Sequence, residues 1–162
     1  SRNNLEDILK QLKYQTIGHD KVNQLRHVRF FKDIHGMVEH MRLHADSMRP
    51  KFEAVTSILE RELDGLGIGS WTSPKGGYFI SFDSLDGCAK TVVAKCKKAG
   101  LVMTGAGATY PYGKDPQDSN IRIAPSYPPL GDLIVAMELF ALCVKIVSID
   151  KIMADRKANG EA

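Results

Sequence analysis

The chain has 162 residues, 43% of them hydrophobic and 25% charged, with a formal net charge of +3, the balance of a globular domain with a core of its own. Residues 1–63 carry 11 Lys/Arg against 9 Asp/Glu and the remainder carries 11 against 10, so no basic face for nucleic acid is expected. Cys88, Cys96 and Cys143 form no C-x-x-C pair for zinc and no disulfide framework, and the longest apolar run, Leu133 to Ile149, is interrupted by Glu138 and Lys145, which excludes a membrane span there. A reducing, cytoplasmic compartment fits this cysteine usage best. The opening Ser1-Arg2-Asn3-Asn4 has no Met and no signal-peptide pattern, and reads as a cut or a tag scar.

Leu5, Ile8, Leu9 and Leu12 recur at helical spacing and predict a short amphipathic helix, ended by Thr16-Ile17-Gly18-His19. Asp20 is placed to cap a second helix, which is expected to bury Val22, Leu25 and Val28. Asp33 is placed to cap a third, whose stripe runs from Met37, Val38 and Met41 through Phe52, Val55, Ile58 and Leu59 to Leu63, with a kink or break expected ahead of Pro50. Gly65, Gly67 and Gly69 follow a helix and open none. They therefore read as a helix stop and not as a dinucleotide loop.

Beyond residue 63 the period changes. Ile68 to Thr72 predicts an edge strand, and Gly77 to Phe82 a strand with Tyr78, Ile80 and Phe82 on one face. Asp86 is placed to cap a helix burying Ala89, Val92, Val93 and Cys96, with lysines in its last turn and Gly100 as its stop. Leu101 to Met103 predicts a short buried strand. A long Gly- and Pro-containing connection spans 104–119, a length that in compact domains tends to be functional. A strand over Asn120 to Ala124 and a closing helix from about Leu130 past Ser148 complete the chain.

The expected fold is therefore of the α/β class in its α+β form: a helical N-terminal part, then a small, mostly antiparallel sheet with helices on one side. The expected divisions are a helical segment over 1–63, an α+β domain over 64–150 and a polar, fraying tail over 151–162. Two apolar stripes run along the closing helix. Leu133, Met137, Phe140, Val144 and Val147 can pack on the sheet; Leu139, Leu142, Ile146 and Ile149 need another partner.

The strand Asn120-Ile121-Arg122-Ile123-Ala124 carries the candidate chemistry. Its isoleucines want the core, so alternation turns Arg122 to the other face, beside Asn120. A guanidinium on a rigid element can grip a carboxylate through two parallel hydrogen bonds. On alternation alone an ordinary surface arginine is the commoner case.

Several pieces together resemble the C-terminal part of the class I aminotransferases, pyridoxal-phosphate enzymes of fold type I. They are Pro74-Lys75-Gly76-Gly77-Tyr78-Phe79, the run Ala99 to Tyr110 with its helix end, strand and loop, Asn120-Ile121-Arg122-Ile123-Ala124, and the closing helix. The stretch Ile17 to Phe30 and Tyr112-Gly113-Lys114-Asp115-Pro116 resemble more narrowly the type Ic aspartate aminotransferases; His19 and Pro129 depart from that pattern. The resemblance implies that Arg122 binds the substrate's α-carboxylate, with Asn120, Tyr110 and Gly77 as candidate substrate-binding neighbours. It also implies that the Schiff-base lysine and the phosphate cradle lie in an N-terminal large domain absent from this chain. Pyridoxal 5'-phosphate is thus expected in the longer protein and not on this piece, which is expected to be inactive alone. An amino acid, possibly aspartate, and a 2-oxo acid are the implied substrates, and a homodimer the implied assembly. The alternatives are an effector-binding module of a transcription regulator and a free-standing ligand-binding domain.

Other residues weigh less. His40 and His44 stand at i, i+4 beside Glu39, but the order is not H-E-x-x-H and no third ligand is apparent, so no metal site is expected. Lys75 reads as a solvated turn lysine, and the cysteines as small core residues.

Overall fold

The computed structural model describes residues 2–160, with side chains from Asn4 onward. Ser1, and with it the start of the supposed scar, lies outside the described residues, as do residues 161 and 162. The described elements are five α-helices, a three-stranded sheet and a single 3-10 turn. They fall into two compact units, 1–44 and 45–162.

The first unit holds α1 (Arg2–Thr16), α2 (Lys21–Phe31) and the opening turns of α3 (Ile34–Leu63). The caps follow the sequence. Asp20 accepts from the Asn23 amide at 2.9 Å and Asp33 from the Gly36 amide at 2.9 Å. The expected burial does not follow. Val22, Leu25 and Val28 are exposed, and so are Leu5, Ile8, Leu9, Met37 and Met41. Helical spacing says which face is apolar, not what covers it. Within this unit aromatic rings meet, with Phe30 and Phe31 edge-on to His40 at 5.3 and 5.4 Å.

The second unit begins at Ala45, so the latter part of α3 belongs with the sheet. The helix runs on through Pro50 without a break. Proline removes one hydrogen bond and crowds the preceding turn, yet the 30-residue helix continues on both sides of that defect. The sheet, β1 (Gly69–Trp71), β2 (Ile80–Ser84) and β3 (Asn120–Ile123), has the order β1-β2-β3 and is antiparallel throughout. α4 (Ala89–Lys98) and α5 (Leu130–Ala158) complete it. Val55, Ile58, Leu59 and Leu63 of α3, Ile80 and Phe82, Ala89, Val92 and Cys96, Ile121 and Ile123, and the first stripe of α5 form one buried cluster. Phe82 sits at its centre, stacked on Trp71 at 6.3 Å and edge-on to Phe140 at 5.1 Å.

Local corrections have clear causes. Leu101 to Met103 is not a strand: the Leu101 amide donates to Cys96 O at 2.9 Å and the Gly100 amide to Lys97 O, closing α4 in a Schellman turn with Gly100 at φ 96°. Tyr78 lies ahead of β2 and is exposed, away from Ile80 and Phe82. Asp86 does not cap α4. The cap comes from the far end of the long connection, where Asp118 takes the Ala89 amide on its carbonyl at 2.8 Å and the Lys90 amide on Oδ1 at 3.3 Å. α5 continues to Ala158 instead of fraying after Asp150, with a Lys151–Asp155 ion pair at 2.8 Å in its last turns. Pro129 heads it without a side-chain cap, as its lack of a suitable oxygen requires.

Candidate carboxylate-binding site

Register decides which residues share a face. Ile80 lies opposite Ile123 and Phe82 opposite Ile121, and these four are buried against the helices. Ser81 lies opposite Arg122 and Asp83 opposite Asn120. Residues directly opposite in an antiparallel pair point the same way, so Ser81, Asp83, Asn120 and Arg122 line the sheet's outer face.

Arg122 stands on that face in an unusual state. Its guanidinium carbon lies 4.5 Å from the centre of the Phe79 ring. Its Nε is buried and has no hydrogen-bond partner among the described residues. A buried donor left unpaired is costly, and an anionic oxygen brought to the guanidinium edge would satisfy it through a charge-assisted bond. The ring face of Phe79 attracts the cation without using its hydrogen-bond donors, which stay available to other partners. The chain reaches this arrangement through the turn before β2. Gly77 has φ 88°, a backbone region that side chains disfavour, and two residues later Phe79 sits diagonal to Arg122 while Ile80 enters the core. Sequence reasoning passed over Phe79 as a site residue. The signal was its parity: one residue before a core isoleucine, it had to fall on the arginine side.

Asn120 is only 6% exposed, and its side-chain amide is fully engaged. Nδ2 donates to Ser81 Oγ at 2.8 Å and Asp83 Oδ1 at 2.7 Å, and Oδ1 accepts from Thr109 Oγ1 at 2.6 Å. Tyr110 follows Thr109 in the chain and is half-buried; its side chain makes no hydrogen bond or ring contact with Arg122 among the described residues. Gly77 acts through the backbone of its turn. Arg122 and Asn120 are thus brought to one face, Gly77 is tied to them through Phe79, and Tyr110 through the neighbouring threonine.

The remaining candidates lie apart from this face. His40 and His44 place their Nε2 atoms 3.0 Å from one another on α3, and among the described residues no group of three or more His, Cys, Asp or Glu could hold a metal ion. Lys75 is exposed at its turn. Cys88, Cys96 and Cys143 are buried free thiols. Burial, and then Cys143 beside it, pushes the Cys96 thiol up to about 12, which leaves it inert as a nucleophile. Among the described residues no helix is long and apolar enough to cross a membrane.

Comparison with known proteins identifies the family to which this fold belongs. A model of the family described as "Aspartate amino-transferase" matches residues 1–156. A candidate aminotransferase of Mycolicibacterium smegmatis is 46% identical over 156 residues, 96% of this chain and 36% of that protein. An aspartate aminotransferase of Corynebacterium glutamicum is 47% identical over 134 residues, 83% of this chain and 31% of that protein. The crystal structure of an aspartate transaminase from Corynebacterium glutamicum superimposes with a TM-score of 0.83 at 44% identity, over 88% of this chain and 34% of the other. The chain therefore spans about a third of the length of these relatives. By the family match and by this fold, the chain belongs to the aspartate aminotransferase family.

Proposed function

We propose that this chain is the C-terminal, substrate-gripping domain of a pyridoxal-phosphate-dependent aminotransferase, in which Arg122 binds the α-carboxylate of the amino acid and of the 2-oxo acid formed from it. The observation that carries the reading is the Arg122 guanidinium, held against Phe79 on the outer sheet face with a buried Nε that no group in the described chain satisfies. A carboxylate matches that need in charge and in shape. Aspartate is the first candidate substrate, because an aspartate aminotransferase is among the relatives above.

Pyridoxal phosphate, bound elsewhere in the complete protein, would supply the electron sink for breaking the Cα–H bond. The groups on this face fit the substrate's carboxylate, and none of them is assigned to the cofactor. What this chain contributes is orientation. A two-point grip fixes the Cα substituents relative to the rest of the site, and orientation of this kind can supply several kcal/mol. On this reading residues 1–63 are the helical segment that joins the domain to a larger one, its part from Ala45 onward also packing into the core of the small domain that 64–150 complete. The exposed apolar residues of α1 and α2 support a covering partner there. The isolated chain would turn over no substrate. A homodimeric assembly and a cytoplasmic location complete the proposal and rest on the family.

The test is Arg122→Lys in the complete protein. Lysine keeps the charge and loses the fork. kcat/KM for an amino acid should fall by about 2–5 kcal/mol in transition-state terms, with little change in melting temperature because Arg122 faces away from the core. The decarboxylated amine of the same amino acid should be affected far less. Equal loss on both substrates, or unfolding of the variant, would make Arg122 structural.

A further inference from the structure

Asn120 is bonded both to the sheet and to the long connection. Its amide nitrogen donates to Asp115 Oδ2 at 2.8 Å. Its carbonyl accepts from the Gly107 amide at 3.1 Å. Its side chain takes the Thr109 hydroxyl on one end and is pinned to Ser81 and Asp83 on the other. The orientation of that side chain is set by chemistry. An ionised Asp83 can only accept, so the NH2 end of Asn120 must face it, and the oxygen end is left for Thr109, whose hydroxyl then has to donate. The connection is also drawn in on itself. Gly107 has φ 74°, and a side chain there would press on Gly113 O and on Asp115.

We infer that Asn120 is a positioning residue whose side chain, through Thr109, latches the 104–119 connection to the sheet beside Arg122, so that this connection is a fixed wall of the carboxylate site and not a mobile lid. Tyr110 then has its place set by the neighbouring latch. This rests on the reading of Arg122 as the carboxylate grip for its consequence in catalysis, but not for its structural content.

Thr109→Val is the clean perturbation: nearly the same shape, no hydroxyl donor, and the Asn120 bonds to Ser81 and Asp83 left in place. Amide hydrogen exchange of this chain should show the Gly107 and Tyr110 amides, which bond to Asn120 O and Gly107 O, exchanging roughly two- to tenfold faster, the span of one net hydrogen bond. Thr109→Ser should restore the wild-type rates. The ladder amides of β2 and β3 should not change, which also shows that the variant is folded. In the complete protein Thr109→Val should raise KM for the amino acid by a similar factor with kcat nearly unchanged, and Thr109→Ser should reverse this. Unchanged exchange at Gly107 and Tyr110 overturns the latch. Faster exchange with unchanged KM overturns its role in the site while leaving the Arg122 grip intact. The grip fails separately, by an Arg122→Lys variant with undiminished kcat/KM.

Discussion

Phe140 and Leu142 stand two residues apart on α5 and face opposite environments. Phe140 is 0% exposed and edge-on to Phe82 at 5.1 Å, whereas Leu142 is 53% exposed. Truncation of both to alanine alters the helix itself in much the same way, since both new residues are alanine and both positions are interior. Phe140→Ala removes a fully buried ring and leaves a cavity, a loss of about 3–5 kcal/mol. Leu142 has about half of its side chain in water already. Full burial of a leucine is worth about 1.5–3 kcal/mol, so Leu142→Ala should lose about 1 kcal/mol or less. Against a total of about 5–15 kcal/mol for a domain, Phe140→Ala should shift the urea midpoint severely and Leu142→Ala barely, with circular dichroism on the 162-residue chain as the readout. Leu139, expected on the same uncovered stripe, packs in part against this chain's own core; in the complete protein the difference should narrow, because the remaining face of Leu142, Ile146 and Ile149 is expected to be covered there. If Leu142→Ala matches Phe140→Ala in the isolated chain, the reasoning fails. A midpoint that rises with protein concentration would then identify a second copy as the cover.

Phe79→Leu keeps apolar bulk and removes the ring face under Arg122; a loss of about 0.5–1 kcal/mol in kcat/KM for the amino acid is expected, with the melting temperature unmoved, and an unchanged kcat/KM would reduce Phe79 to packing. Gly69→Ala drives a methyl into the Phe82 ring and should lose about 1–3 kcal/mol by overpacking, partly recovered by adding Phe82→Leu; a neutral Gly69→Ala would mean that the ring yields. The amide of Asn120, and then those of Ser119 and Gln117, hold the Asp115 carboxyl below the usual carboxylate range. Its contribution is therefore present above the unfolded value of about 4 and is lost as pH falls through the lower folded value, so Asp115→Asn should flatten the acid limb of stability measured by urea unfolding between about pH 2 and 5. An identical acid limb in the variant would contradict this.

Much of this architecture was legible because it depends on local rules. Asp20 and Asp33 cap because a short carboxylate ahead of a helix meets free amides. Arg122 leaves the core because Ile121 and Ile123 enter it. The buried stripe of α5 follows from its period. What was not legible depends on partners distant in sequence. The α4 cap comes from Asp118, about thirty residues on, where local reading offered Asp86. Leu101 to Met103 has strand-like residues, but the hydrogen bonds that close α4 take its backbone elsewhere. The apolar face of α2 is apolar as its spacing says but is not buried in this chain, since amphipathic spacing does not say whether the cover lies in the same chain. At the site, Arg122 and Asn120 were visible as a pair of outward residues. Phe79 and Thr109 were not, because their roles arise only when the turn before β2 and the long connection are folded against β3.

The central claim is that Arg122 receives a carboxylate, and the most direct measurement is a crystal structure of the complete protein with a bound amino acid substrate or unreactive analogue. The account predicts both carboxylate oxygens within hydrogen-bonding distance of the Arg122 guanidinium, at about 2.7–2.9 Å, with the guanidinium still over the Phe79 ring. A carboxylate held by other residues, with Arg122 still unpaired or turned to solvent, would contradict it.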